Sequence, residues 1–215
     1  VYRKNEELRP FVQKIIGSTT VELTRVDCGE STIGNLVADS MLWKAGGQGE
    51  AIAIVNGGGI RTDIPAGDIP RSTLMEVLPF GNTLATFRIT GANLRQAFEH
   101  GVSTAVQPAD GASIGRFLYM SGARIVWDST KPQYSRIVSV EVRNAVGSWV
   151  VLDDAKEYGV VANSYIRGGG DGYAMLKEKA IQPYDTGIVD IDALVDYVAA
   201  KSPLSYAVEG RIVRK

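Results

Sequence analysis

Apolar residues near the start of the chain, Leu8, Phe11, Val12, Ile15 and Ile16, recur at spacings of three and four. That spacing predicts a short amphipathic helix with Pro10 in its first turn and Gly17 as its stop. Residues 20–26 read as a strand. Glu30-Ser31-Thr32 offers N-cap side chains to a helix starting near Ile33. Its Ile33, Leu36, Val37, Met41 and Leu42 share a face, and Gly46-Gly47 closes it. The continuously apolar run 51–55 predicts a strand covered on both faces. Pro70, Ser72 and Thr73 open a short helix, with Thr73 and Glu76 spaced as a capping box, and Pro79-Phe80-Gly81-Asn82 ends it. Residues 83–89 alternate as a strand, and Thr90 caps a helix carrying Leu94, Ala97, Phe98 and Val102.

Beyond Arg116 the period shortens. Residues 117–120, 123–127, 137–142, 149–152 and 158–161 are β-prone runs parted by turn residues. Asp190 then starts a helix carrying Ile191, Leu194, Val195 and Val198, and 211–213 reads as a closing strand. Helices and strands are interspersed with several strands in succession, which favours a mixed-sheet α+β or layered domain over a doubly wound one.

With 215 residues, the chain is long enough to bury roughly 70% of its unfolded surface in one or two domains. The formal net charge of −1 comes without any Lys/Arg cluster, which excludes a binder of nucleic acid polymers. Cys28 is the one cysteine; it rules out an internal disulfide framework and reads as a small buried residue. The longest apolar run falls far short of the ~20 residues of a membrane span. The first residues, Val1-Tyr2-Arg3-Lys4-Asn5-Glu6, lack both an apolar leader and an initiator Met, so the chain is expected to be a piece of a longer product.

The usual hydrolytic machinery is missing from the sequence. His100 is the one histidine, too few for an imidazole-rich metal site, so neither a metal ligand set nor a catalytic residue is expected within this chain. At the end of the Thr90 helix, His100 is expected to complement the terminal carbonyls. No Gly-x-Ser-x-Gly elbow, Walker loop or Gly-x-Gly-x-x-Gly accompanies it.

Glycine, 24 of 215 residues against a usual ~7%, clusters at two strand exits. Asn56-Gly57-Gly58-Gly59-Ile60-Arg61 lets backbone N–H groups turn inward and brings a guanidinium suited to phosphate. Taken alone it fits equally well a tight strand exit with a surface arginine. Asn163-Ser-Tyr165-Ile-Arg-Gly168-Gly169-Gly170-Asp171-Gly172-Tyr173 holds a carboxylate between glycines. A carboxylate can take a vicinal diol with both oxygens, although a glycine turn with a solvated Asp fits too. Phe80, flanked by Pro and Gly, is either a core plug or a stacking surface, and Tyr165 offers a second ring. Two parallel rings about 7 Å apart, twice a contact distance of about 3.5 Å, would clamp a planar base. Each stack is worth about 1–3 kcal/mol.

Together, 31–40 (Ser-Thr-Ile-Gly-Asn-Leu-Val-Ala-Asp-Ser), Asn56-Gly-Gly-Gly-Ile-Arg61, Leu78-Pro-Phe-Gly-Asn82, Thr90-Gly-Ala-Asn-Leu94 and Gly169-Gly-Asp-Gly-Tyr173 resemble, in order and spacing, the C-terminal domain of the 5′-nucleotidase family. That family also includes bacterial UDP-sugar hydrolases and cyclic-nucleotide phosphodiesterases. The resemblance covers about residues 21–215, leaving 1–20 as the remnant of an interdomain connector helix. It implies a layered α-β-β-α sandwich that recognises a nucleotide or nucleoside substrate. By the same resemblance, Phe80 and Tyr165 match the aromatics around the base and Asp171 the carboxylate on the ribose. Arg61 matches an arginine at phosphate or ribose, and Asn56 an asparagine near base and sugar. Relatives often carry another phosphate-binding arginine just before Glu30; here the stretch reads Arg25-Val-Asp27-Cys-Gly-Glu30, and Arg25 is the nearest. The family's two divalent metal ions belong to an N-terminal metallophosphatase domain of the same polypeptide, absent from this chain. The isolated domain is therefore expected to be inactive in nucleotide catabolism. Its family habit is periplasmic or extracellular. A degenerate homologue acting as an interaction module, with both rings packed away, is the alternative.

Overall fold

The computed structural model describes residues 10–105 and 114–215. Its strands and helices, in chain order, are β1 (Ile15–Thr19), α1 (Thr32–Ala45), β2 (Glu50–Asn56), β3 (Gly67–Pro70), α2 (Arg71–Val77), β4 (Thr83–Thr90) and α3 (Gly91–Val102). There follow β5 (Leu118–Ser121), β6 (Ala123–Trp127), β7 (Ile137–Arg143), β8 (Trp149–Val151), β9 (Glu157–Asn163), α4 (Ser164–Arg167), α5 (Ala174–Glu178), β10 (Ile181–Val189), α6 (Asp190–Lys201) and β11 (Ile212–Arg214). The mixed α+β class is as expected.

A five-stranded sheet in the order β10-β4-β9-β2-β5 forms the centre, beside a four-stranded sheet β11-β6-β7-β8 and the pair β1-β3. Within the larger sheet β2 and β9 run parallel, with Ile52, Ala53 and Ile54 opposite Val160, Val161 and Ala162. Both strands are apolar and buried, as a strand covered on both faces must be. Helix α1 covers β2 and β5 and packs on α6. It can come so close because Gly34 has no side chain: a Cβ there would enter the ring of Tyr119. The Tyr119 hydroxyl donates to the Val26 carbonyl (2.8 Å), pinning the segment before α1.

Ser31 caps α1 by accepting from Gly34 N, and Thr90 caps α3 by accepting from Asn93 N, both as expected. Glu30 anchors the far end of the chain. Its carboxylate, 9% exposed, accepts from Glu209 N, Gly210 N, Arg211 N and Asn35 Nδ2 at 2.7–2.9 Å.

Three expectations are corrected, and three elements were not foreseen. The helix over 8–16 fails at its end, because Ile15 and Ile16 belong to β1, which pairs antiparallel with β3; residues 1–9 lie outside the described part. Residues 20–26 form no regular strand but an extended segment with one bridge, Leu23 to Ile64. The Thr73–Glu76 capping box does not form, since α2 starts at Arg71 with Pro70 as its N-cap and no side-chain cap. The edge strand β10, with Pro183 inside it, was not expected, and neither were the one-turn helices α4 and α5. Proline is tolerated at a sheet edge, where no ladder bond is lost.

Asp190 opens α6 and is 3% exposed. Its backbone N donates to the Asn82 carbonyl (2.8 Å), and Oδ1 accepts from Ile191 N. Burial pushes its carboxyl up to about 6, against the pull of its hydrogen bonds from Ile191 and Asn82. The folded protein thus holds this proton from the ordinary value of 3.8 up to about 6, and the group opposes folding increasingly as pH rises through that window. Asp190→Asn keeps the acceptor for Ile191 without the charge. Between pH 4 and pH 7 it is expected to gain stability on the parent by on the order of 2 kcal/mol, read from urea midpoints. Parallel pH curves for the two proteins would contradict this.

Candidate functional site

Parallel β2 and β9 end side by side, and each exits into a glycine turn. After Asn56 the chain makes a one-turn 3₁₀ helix, Gly57–Gly59; after Asn163 it makes α4 and a second 3₁₀ turn, Gly170–Gly172. Asn163 Nδ2 donates to Asn56 Oδ1 (2.9 Å), and Asn56 Nδ2 donates to Asp171 Oδ2 (2.7 Å). Asn163 Oδ1 accepts from Ile166 N, capping α4. A chain of two amides thereby fixes the carboxylate of one glycine loop against the strand exit of the other. Tyr165 Oη donates to Asp171 Oδ1 (2.9 Å), so both oxygens of Asp171 have a partner. This bond to a carboxylate raises the phenol above its usual range.

The loops meet in a cavity of about 360 Å³ lined by Asn56, Gly58, Gly59, Phe80, Asn82, Gly115, Tyr165 and Asp171. Phe80 is 61% and Tyr165 49% exposed; neither ring is a core plug. Phe80 stands on the turn between α2 and β4, followed by Gly81 at φ 64°. The ring of Tyr165 lies over Gly170, where a Cβ would come within 2.6 Å of Cζ. Gly58 is needed for a different closeness, since a Cβ there would meet the Gly115 backbone at 3.0 Å.

The structure brings Asn56, Phe80, Tyr165 and Asp171 to one cavity. Arg61 is placed at the rim instead: its guanidinium stands 5.9 Å from the Phe80 ring centroid and Nη1 donates to the Gly58 carbonyl. Gly57 is buried and donates its N–H to Phe117 O. Gly169, at φ 96°, starts the second turn. Arg25 is paired with Asp63 (3.1 Å) and is not part of the lining. Asn82 and Gly115 were not singled out as site residues; Asn82 carried a signal in its Phe-Gly-Asn context, and Gly115 carried none.

His100 is a correction. Its side chain does not complement the carbonyls at the end of α3 but turns to the second glycine loop. Nε2 lies 2.9 Å from the Asp171 carbonyl, Nδ1 3.3 Å from the Tyr134 hydroxyl, and the ring meets Tyr173 edge-on at 4.8 Å. A carbonyl only accepts, so Nε2 carries the proton in the neutral ring, and Nδ1 accepts from Tyr134. The contact supports Asp171 in its left-handed conformation, φ 53°, which costs a non-glycine residue roughly 1–3 kcal/mol. Gly172 leaves room for the ring: a Cβ there would stand 2.9 Å from Nε2.

Among the described residues no group of three or more His, Cys, Asp and Glu side chains is placed to hold a metal ion. None of the described helices is long and apolar enough to cross a membrane. What the arrangement offers is a half-open cleft with two exposed rings, a fixed carboxylate and glycine walls, at the carboxyl edge of a parallel strand pair, where α/β sheets commonly hold ligands.

Comparison with known proteins agrees with that class. The family model described as "5′-nucleotidase, C-terminal domain" matches residues 15–178. The 5′-nucleotidase of Diplobatis ommata is 36% identical over 99% of this chain and 39% of its own, and an apyrase of Tabanus yao is 32% identical over 93% and 38%. Among solved structures, a 5′-nucleotidase precursor from Thermus thermophilus aligns with a TM-score of 0.90 at 39% identity, over 99% of this chain and 42% of that one. The NAD nucleotidase of Haemophilus influenzae gives 0.84 at 25% identity, over 100% and 40%. The chain belongs to the 5′-nucleotidase family and corresponds to its C-terminal domain. It spans about two fifths of the length of these relatives.

His100→Ala removes the donor to the Asp171 carbonyl and is expected to cost about 1–3 kcal/mol of stability. Amide exchange should accelerate at Gly170, Asp171 and Gly172 well beyond any change in β6 and β7. Uniform acceleration across the domain would show that the ring serves only general packing.

Proposed function

We propose that the cavity is the nucleotide- or nucleoside-recognition site of a two-domain, metal-dependent 5′-nucleotidase-type phosphohydrolase. The observation that carries this reading is the placing of two exposed rings, Phe80 and Tyr165, on one cavity with Asp171. The base stacks between the rings, the ribose hydroxyls bind Asp171, and Asn56 lies near base and sugar. Arg61, at the rim beside Phe80, meets the phosphate as it projects out of the cleft. The interaction-module reading needs both rings packed away, and their exposure argues against it.

In this reading the chain binds substrate and does not hydrolyse it alone. The two divalent ions that activate water come from an N-terminal metallophosphatase domain of the same polypeptide, reached through a connector that precedes β1. Turnover then includes a movement of one domain relative to the other. The location is periplasmic or extracellular.

Two stacks and two charged contacts, less several kcal/mol for association, correspond to dissociation constants of roughly tens of micromolar to millimolar. Titration of adenosine or AMP is expected to shift NMR resonances of Phe80, Tyr165 and Asp171. No shift up to about 10 mM, well above the millimolar scale, would sink the reading. Asp171→Ala should weaken ribonucleosides by tenfold or more while leaving 2′,3′-dideoxynucleosides within about threefold, a difference of one charge-assisted hydrogen bond. Equal losses for both would refute the diol role.

A further inference from the structure

A second cavity, about 440 Å³, opens on the opposite edge of the sheet. β5 runs antiparallel to β2 with Leu118 opposite Asn56 and Ser121 opposite Ala53. Ser121 therefore lies about 10 Å along the strand, away from the glycine loops. This cavity shares no lining residue with the first.

Its floor is held by Arg211, whose guanidinium is saturated: it donates twice to Asp39, and also to Glu209 and to the Met120 carbonyl. Asp39 is likewise satisfied, by Arg211 and the Tyr206 hydroxyl. Other groups are left over. Ser121 is 8% exposed and its hydroxyl has no hydrogen-bond partner among the described residues. Glu209 uses Oε2 on Arg211 and leaves Oε1 open. Arg143 and Lys201 have no ion-pair partner among the described residues; Arg143 rests on the ring of Trp149 at 5.1 Å. Across the cavity Trp43, 46% exposed, is steadied by an edge contact from Tyr197 at 5.7 Å.

Counting charges, Arg211 with Asp39 and Glu209 leaves one negative, and Arg143 with Lys201 adds two positives, so the lining carries a net +1. We infer that this cavity is a second ligand site, for a pyranose sugar bearing one anionic group. An indole face matches the apolar C–H face of such a ring. Ser121 and Glu209 Oε1 match its hydroxyls, and the cations of the lining, Arg143 and Lys201, match a carboxylate or phosphate.

Of the three tryptophans, Trp43 and Trp149 line this cavity and Trp127 is wholly buried, whereas the first cavity has none. Indole emission therefore reports this site directly. Titrating the protein with glucuronate, glucose 6-phosphate, glucose and inorganic phosphate is expected to give a saturable change with one or both anionic sugars. Whichever of those two binds tighter identifies the carboxylate or the phosphate as the natural group. Glucose and phosphate should each bind at least tenfold more weakly. The double variant Arg143→Gln, Lys201→Gln, both residues at the surface, should lose tenfold or more of the anionic-sugar affinity with an unchanged melting temperature. Excess adenosine should not compete. The inference is overturned if no probe saturates up to about 50 mM, far above the millimolar scale. It is equally overturned if glucose or phosphate matches the anionic sugars, if the double variant binds as well as the parent, or if adenosine displaces the sugar.

Discussion

Parallel pairing of β2 with β9 is the constraint from which the rest of the site follows. Parallel strands finish on the same edge of a sheet, so the two glycine loops, more than a hundred residues apart in sequence, emerge together. The amides of Asn56 and Asn163 lock that coincidence, because each satisfies the other before reaching Asp171 or the first turn of α4. Both asparagines are almost fully buried, where an unpaired amide would cost several kcal/mol. Neither loop can drift without breaking this chain of bonds. The carboxylate is thus a property of the sheet register as much as of its own loop.

Much of this was legible in the residues themselves. The apolar run of β2, the caps of α1 and α3 and the succession of short strands after Arg116 follow from period and capping, and they came out close to their observed bounds. The loops were legible because glycine clusters at strand exits are costly unless something requires them. Their meeting in space was legible only through the resemblance, since register between distant strands leaves no local mark. What failed did so for reasons of context. Ile15 and Ile16 match a helical spacing, yet β3 offers them an edge to pair with. Thr73 and Glu76 have the spacing of a cap but lie inside α2, which Pro70 had already started. Strand β10 hides behind Pro183 and polar residues because its outer face is solvent. The role of His100 could not be seen, because the carbonyl it meets lies 71 residues further on.

Both ends of the central sheet are closed by buried polar side chains. At one, the neutral ring of His100 holds the backbone carbonyl of Asp171 and the amide of Asn56 holds its carboxylate. At the other, Glu30 gathers three successive N–H groups of the C-terminal segment while Arg211 ties that segment to Asp39 on α1 and to the carbonyl of Met120. The contacts of Glu30 and Arg211 are strong because at least one partner is ionised and both are sheltered. They leave the rims free to carry different chemistry: two rings and an acid at one end, and at the other indoles with cations that have no ion-pair partner among the described residues.

The phenol of Tyr165 has a consequence for the energetics of capture. It already occupies one oxygen of Asp171, so any other hydroxyl donated to that oxygen must replace a bond of its own kind. Ring and acid are thereby coupled: the phenol cannot swing aside without uncovering an acceptor, and the acceptor cannot be taken without freeing the ring.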